Sequence, residues 1–378
     1  MARQPSTALT FPFPEPPAPG ESLQVLPGLY WARMPLPLKL DHVNVWMVDD
    51  GDAFTIIDTG IADDRTTALL RQVRAGLPRR PVSRVVITHH HPDHCGLADR
   101  LVEEHGAVLF ISSLAHEAGL VLQHRDKGTD ARSTAASLAK HGLSPEAQRF
   151  LVDHEHEFDM LKPGIPPDFA PLAEGDTISL GRYSCRVIFG QGHAPDHVCL
   201  YCGGAGGGGA DGPRGAVARG AAPKAGAGFL ISGDMLLPDI STHVGSPATW
   251  LPGNPVAQFQ KSVRRFAALP ADTLVLPSHG VPFYGIRERV AELEMHHEQR
   301  CTTMAAALGE PGSAAELLEV VFQRELDALQ LMLAMNETVA HLEYMADRGQ
   351  LERLEGVDGI VRYVRKGAPV SGAPKDAE

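Results

Sequence analysis

Three observations predict an α/β protein carrying a smaller, mainly helical appendage. Through about the first three quarters of the chain, short β-branched runs such as Val85-Val86-Ile87-Thr88 alternate with stretches of helical periodicity such as 63–75, as in sheets covered by helices. From Arg287 onward helical text runs on to a final hairpin. A length of 378 residues fits such a division, because a single core rarely grows so large.

Residues 1–22 are Pro-rich and weakly hydrophobic, and are expected to form a disordered tail. Ordered structure is expected from Leu23, with short apolar runs over 25–30 and 43–48 reading as antiparallel strands. Asp49-Asp50-Gly51-Asp52 turns the chain into the strand Phe54-Thr55-Ile56-Ile57, which ends in Asp58-Thr59-Gly60. Ala68, Leu69, Leu70 and Val73 among arginines mark an amphipathic helix over 63–75. A helix over 97–104 and a strand over 108–111 follow the run at Val85.

Residues 116–158 read as mostly helical and contain His124, His141, His154 and His156, in no spacing that makes a site by itself. Strands are expected over 177–180 and 185–189, and Cys199 to Cys202 sits in another. The stretch 203–228 has 11 Gly and 8 Ala among its 26 residues, too little apolar surface to offset its ordering entropy. It is expected to be a disordered loop joining adjacent strands, because Phe229-Leu230-Ile231-Ser232 resumes the strand pattern at once. Thr273 to Leu276 is the last strand of a catalytic domain placed at 23–290. Helices at 292–308, 314–322, 326–334 and 337–348 and a hairpin at 354–364 make a second domain at 291–366, followed by a tail at 367–378.

Composition narrows the function. A formal charge of −12 disfavours nucleic acid and anionic membrane as general partners. Five scattered cysteines do not make a disulfide framework. In the strand Cys199-Leu200-Tyr201-Cys202 the two thiols face opposite sides, so structural thiols are expected. The start lacks the cationic and apolar regions of a secretory signal, and no apolar run is long enough to span a bilayer. These features predict a cytoplasmic protein.

Chemistry is concentrated in Thr88-His89-His90-His91-Pro92-Asp93-His94-Cys95-Gly96. In extended backbone His89 and His91 share a face, so two imidazoles can grip one cation. The Pro-Asp pair turns the chain and brings Asp93 and His94 out beside them, able to bind a second. Imidazole and carboxylate ligands suit zinc first, with iron or manganese also compatible. A polar loop of satisfied histidines is the bland alternative, and four ligand-type side chains within six residues weigh against it.

This string resembles the HxHxDH signature of the metallo-β-lactamase superfamily. The resemblance implies an αββα sandwich with two metal ions held by loops at one edge of the sheets. It further implies His193 as a ligand of the first metal, Asp234 as a bridging carboxylate and His279 as a ligand of the second. Asp58 matches the family's Asp-x-Gly, whose carboxylate orients the metal-binding loop, and His197 is implied as a supporting residue. Gln191 stands where the family usually has Pro, and Ser278 where it has Gly. Helices followed by a hairpin, with His296, His297 and His341, resemble the winged-helix appendage of one branch, the beta-lactamase-like 2 group. Over 291–366 seven basic residues face fourteen acidic ones, a net of −7, whereas DNA-binding modules need a basic face. Packing on the catalytic domain or on a second subunit, as in a homo-oligomer, is therefore the expected role of the appendage.

The chemistry implied is hydrolysis. Two zinc ions about 3.5–4 Å apart hold a bridging hydroxide as nucleophile, and Asp93 orients it and passes a proton to the leaving group. The expected substrate is a small acyl metabolite with a thioester or related ester or lactone bond. The alternative is a phosphodiesterase acting on RNA, since the winged-helix branch includes an endoribonuclease. A non-catalytic module is disfavoured because all seven ligand positions are filled. An oxygen-reducing diiron site is also disfavoured, because the position where it typically carries Glu is His91.

Overall fold

The computed structural model describes residues 8–124, 127–155, 162–204, 228–245 and 253–367. The first sheet has seven strands in sequential order: β1 (Ser22–Leu26), β2 (Leu29–Pro35), β3 (His42–Asp49), β4 (Phe54–Ile57), β5 (Val82–Val86), β6 (Val108–Ser112) and β7 (Ala170–Leu172). Pairing is antiparallel as far as β4 and parallel beyond it. Parallel neighbours need crossovers. Here α1 (Asp64–Ala75) joins β4 to β5, while α2 (Pro92–Cys95) and α3 (Ala98–His105) lie between β5 and β6. Asp63 caps α1 by accepting a 2.5 Å bond from the Thr66 amide. The helix α4 (Ser113–His124) follows β6.

The second sheet holds five strands in the order β12-β11-β10-β9-β8, with β8 (Thr177–Leu180), β9 (Tyr183–Gly190), β10 (His197–Cys202), β11 (Phe229–Gly233) and β12 (Leu274–Pro277). The helix α7 (Pro255–Ala267) is the crossover between the parallel pair β11 and β12. Ser262 and Arg265 of α7 donate to oxygen or receive from nitrogen along the end of β9, through Gln191 N to Ser262 Oγ (2.9 Å) and Arg265 Nη1 to Phe189 O (3.2 Å).

Strand alternation explains the layers. Along β3, Val43, Val45 and Met47 enter a core shared with Leu70, Val73 and Leu101 of the helices. Trp46 and Val48 point the other way, into a core shared with Leu180, Val187, Val198 and Leu274 of the second sheet. On β2, Ala32 and Met34 serve the first core while Leu29 and Trp31 serve the second. Both faces of the first sheet are thus buried, one by helices and one by another sheet, which is the αββα sandwich.

The chain divides into two compact units. The sheets belong to the first, formed by 1–124, 160–242 and 259–292; the second comprises 125–159, 243–258 and 293–378, so the division falls inside α7 and α8 (Ile286–Ala307). In the second unit α5 (Lys127–Ala139) and α6 (Pro145–Asp153) share a core with the C-terminal elements, Leu138, Leu143 and Leu151 packing with Met304, Met335, Leu342 and Tyr363. A short 3-10 turn leads into α9 (Leu318–Val321), and α10 (Ala328–Asp347) precedes the hairpin of β13 (Leu351–Glu355) and β14 (Val361–Arg365). Val361 N donates to Lys140 O and Ala315 N to His141 O, so the α5–α6 turn is stitched to the C-terminal part of the chain.

Three expectations need correction. Residues 8–22 are ordered: Leu9 and Phe13 are buried, and Thr10 exchanges backbone hydrogen bonds of 3.1 and 2.8 Å with Tyr284. Those two apolar side chains find a place in the core that the Pro-rich composition around them conceals. The two helices expected at 326–334 and 337–348 are one, α10, because Met335 is buried in the core and nothing at Asn336 interrupts the ladder. The third concerns the thiols. Cys199 is a buried free cysteine as expected, but Cys202 forms a disulfide with Cys185. These two are directly opposed in the β9–β10 register, a partnership that the spacing of cysteines alone does not reveal.

Strands β10 and β11 are adjacent, with Cys202 opposite Phe229. Residues 205–227 of the Gly/Ala loop, His156 and the tail beyond 367 lie outside the described residues.

Candidate metal centre

Each functional side chain sits where a strand of one of the two sheets ends. Beyond β5 the chain runs through Thr88 and His89 into α2, whose Asp93 and His94 stand one turn past His91. The link between β9 and β10 carries His193 and leads to His197, the one after β11 carries Asp234, and the one after β12 carries His279. Gly233 makes Asp234 accessible, with φ of +53° beside the His197 ring where a Cβ would collide.

The seven residues expected as ligands converge. Potential ligand atoms of His89, His91 and His193 lie within 4.8 Å of one another, as do those of His89, His94 and Asp234 and those of Asp93, His94 and His279. His89 Nε2 is 2.9 Å from His91 Nδ1 and 3.2 Å from His193 Nε2. Asp234 faces all three groups: its Oδ2 lies 3.3 Å from His193 Nε2 and 3.5 Å from His94 Nε2, its Oδ1 3.3 Å from His279 Nε2. Asp93 Oδ2 lies 3.3 Å from His94 Nε2 and 3.5 Å from His279 Nε2.

Asp58, fully buried, organises these rings from behind, its backbone at φ +58°. Its Oδ1 accepts from the Thr88 amide at 2.9 Å; its Oδ2 accepts from Thr88 Oγ1 at 2.9 Å and from His94 Nδ1 at 2.8 Å. Because the Thr88 hydroxyl is committed to Asp58, its lone pair accepts from His89 Nδ1, 3.0 Å away. One carboxylate thus fixes the tautomer of two imidazoles and turns both Nε2 atoms into the cluster. His197 accepts from the Asp234 amide through Nε2 at 3.1 Å, which removes that nitrogen from the ligand pool and suits a supporting role.

The two departures from the family pattern have visible partners. Gln191 and Asp196 clasp each other across the turn that presents His193, Gln191 Nε2 donating to Asp196 Oδ1 and the Asp196 amide to Gln191 Oε1. Ser278 Oγ points at Asp58 Oδ2, 3.4 Å away.

Electrostatics splits the cluster in two. Burial, reinforced by the neighbouring imidazoles, pushes His89 and His91 well below the ordinary histidine range. Burial also opposes charge on His94 and His279, but the carboxylates outweigh it: Asp93, Asp234 and Asp58 raise His94 well above its usual value, and Asp234 raises His279. Burial alone would raise Asp93 and Asp234, yet His94 and His279 hold both below the carboxylate range. Burial takes His197 down to about 3.

A cation fits this donor set. His94 Nε2 and Asp234 Oδ1 are buried without a hydrogen-bond partner among the described residues. Such atoms are costly unless something else engages them. Imidazoles and carboxylates at these spacings are what divalent transition ions bind, displacing any protons the ligands carry.

Sequence reasoning missed four contributors around the cluster: Thr88, His42, Asn44 and Arg33. Thr88 could have been suspected from its place beside His89. The other three act on the turn 277–280, far away in sequence, and no local signal marks them.

Comparison with known proteins gives the family. Residues 38–207 match the metallo-beta-lactamase superfamily and residues 301–366 the metallo-beta-lactamase-like, C-terminal domain. A beta-lactamase domain protein from Burkholderia ambifaria is 35% identical with a TM-score of 0.77, covering 94% of this chain and 97% of its own. The chain belongs to the metallo-β-lactamase superfamily and shares its metallo-hydrolase chemistry. Among curated relatives, the probable metallo-hydrolase YqjP of Bacillus subtilis is 25% identical over 83% of this chain and 90% of its own length. The acyl-coenzyme A thioesterase MBLAC2 of Gallus gallus is 25% identical over 67% and 77% respectively, and a hydroxyacylglutathione hydrolase of Rhodobacter capsulatus 24% identical over 65% and 64%. No helix among the described residues is long and apolar enough to cross a membrane.

Proposed function

We propose that the protein is a dinuclear metal hydrolase, zinc being the first choice of ion, that cleaves a thioester or related ester or lactone bond of a small acyl metabolite. The observation that carries this reading is Asp234, one buried carboxylate whose two oxygens face three converging groups of ligand-type side chains. Two relatives whose names specify thioester substrates, the acyl-coenzyme A thioesterase and the hydroxyacylglutathione hydrolase, support the choice of bond.

In this reading His89, His91 and His193 would hold one ion, Asp93, His94 and His279 the other, with Asp234 serving both. Ions held there would supply Lewis acidity and a water of near-neutral pKa. The chain supplies orientation and a proton route. Asp58 keeps the Nδ1 proton on His94 and, through Thr88, on His89, so that neither ring can turn its N–H into the cluster. Asp93, like His91, is part-buried while the other five ligand-type residues are buried, so its carboxylate is placed to receive a proton at Oδ2 and return it to a leaving thiolate or alkoxide.

The test is elemental analysis of metal-replete protein followed by kcat/KM on thioesters, lactones, phosphodiesters and a single-stranded RNA, at low and high salt. Two ions per chain and thioester turnover with weak salt dependence are expected, because few phosphate contacts are involved. One ion or none would remove the dinuclear reading. Efficient, steeply salt-sensitive RNA cleavage with negligible acyl hydrolysis would replace the thioesterase by a nuclease.

A further inference from the structure

The turn that carries His279 is gripped by residues outside the ligand set, and we propose that Asn44, with Arg33 beside it, is a positioning residue that fixes His279 for the second ion. This inference rests on the dinuclear reading above. Asn44 and Arg33 are direct partners in the β2–β3 register. By strand alternation both side chains share the side of Trp31 and Trp46, which faces the second sheet. Asn44 Nδ2 donates to Pro277 O at 2.8 Å and to Gly280 O at 3.1 Å, and its backbone amide donates to Ser278 O at 2.7 Å. Arg33 Nη2 donates to Gly280 O at 2.6 Å. Next along β3, the His42 carbonyl accepts from His279 Nδ1 at 2.6 Å and the His42 ring accepts from the Gly280 amide at 2.8 Å. The turn from Pro277 to Gly280, on the second sheet, is therefore held at three carbonyls, one amide and one imidazole by a strand of the first.

Burial alone does not favour an amide at this position. Asn44 is fully buried between Val43 and Val45, and its Oδ1 has no hydrogen-bond partner among the described residues. A leucine has the same branching and no polar atom of its own to satisfy, but it would leave the Pro277 and Gly280 carbonyls without this donor. What the amide provides is direction. Both of its partners are carbonyl oxygens, which fixes which end of the side chain faces the turn. The second group of ligands needs this because Asp93 and His94 come from the first sheet and His279 from the second. The first group, His89, His91 and His193, does not pass through the 277–280 turn. The clamp should therefore matter for one ion and not for the other.

The experiment titrates zinc into metal-free wild type, Asn44→Leu and Arg33→Met against a competing chelator, and follows the His279 Nδ1 proton by nitrogen-edited NMR in the metal-free proteins. Wild type should bind two ions and show a slowly exchanging downfield resonance for that proton, given its 2.6 Å bond to His42. In Asn44→Leu one of the two sites should lose roughly tenfold or more in affinity, the range for residues that orient ligands, while the other stays within about twofold. The resonance should broaden or vanish. Two unchanged affinities with the resonance retained would overturn the proposal, and so would two affinities that fall together, since that is what general loosening of the fold produces. If Asn44→Leu does not fold, Arg33→Met carries the same comparison, because it removes the bond to Gly280 O while keeping an unbranched stem. If wild type binds fewer than two ions, the dinuclear reading fails and the resonance alone decides the clamp: its persistence in the folded variant overturns it.

Discussion

Replacing Asp58 by Asn removes one charge and almost no volume, and should cost metal affinity out of proportion to its distance from any ion. Asparagine tolerates the positive φ of this position, so the backbone contributes little to the outcome. The amide oxygen can keep the bond from the Thr88 amide, but the amide nitrogen then faces His94 Nδ1–H where Oδ2 stood. Thr88 Oγ1 can rotate and accept instead, which withdraws the lone pair that held His89 Nδ1. Two imidazoles lose their tautomer lock through one substitution. A hydrogen bond to a charged partner contributes about 1.5–3 kcal/mol. Residues that orient metal-bound histidines typically change affinity by about 10–100-fold, or roughly 1.4–2.7 kcal/mol. The two ranges overlap, and the expected loss is about 2 kcal/mol per ion. Chelator competition measures it, with Asp58→Asn and wild type compared at one pH and salt. Affinities for both ions within twofold of wild type would refute the reasoning, because the bonds in question would then not be setting ring orientation.

Asp93→Asn should lower kcat by at least about a hundredfold on the best thioester while KM changes little, since the carboxylate is assigned to the ion and the proton rather than to substrate affinity; steady-state kinetics on both proteins checks this. Zinc affinity should rise with pH across the neutral range, because His94 and His279 hold protons above the ordinary histidine range and ligation must displace them, a release that calorimetry in buffers of different ionisation enthalpy reads directly. The same shifts set the stability of the metal-free protein. The contribution of raised His94 and His279 is complete below the unfolded histidine pKa and is lost as pH rises through their folded values. That of depressed Asp234 and Asp93 is present above the unfolded carboxylate pKa and lost on acidification. The depressed His89, His91 and His197 act the other way, costing stability as pH falls below the unfolded histidine pKa, so metal-free protein should melt highest near neutral pH, and a melting temperature that climbs steadily to pH 9 would contradict it. Gly96→Ala should destabilise strongly, by about 2 kcal/mol or more, since an added Cβ would meet Pro92 O at 2.6 Å and Ala62 N and Gly60 O at 2.7 Å, all backbone; chemical denaturation measures it. Replacing 203–228 by a two-residue turn should leave melting temperature and turnover nearly unchanged, because Cys202 and Phe229 already stand opposite each other; a large loss of either would give the segment a role.

The sequence by itself determined the class of fold and marked the candidate metal site. Alternating β-branched runs and amphipathic stretches encode sheets and covering helices locally, and HxHxDH places four ligand-type side chains within six residues, so neither needs long-range information. His193, Asp234 and His279 could be picked out only through the family resemblance, which expects such residues in turns after strands. The tertiary structure decided whatever depends on register or on contacts between distant segments. Cys185 meets Cys202 because the β9–β10 hairpin pairs them. Leu9 and Phe13 order a Pro-rich tail because a core accepts them and Thr10 finds Tyr284. Met335 carries one helix past the point where the pattern weakens. Asp58 was readable as a turn, but its four bonds to Thr88, His94 and Ser278 exist only once β4, β5 and β12 end side by side. Asn44 and Arg33 read as unremarkable strand residues; they reach the His279 turn because two sheets pack face to face, a fact that no window of neighbouring residues contains.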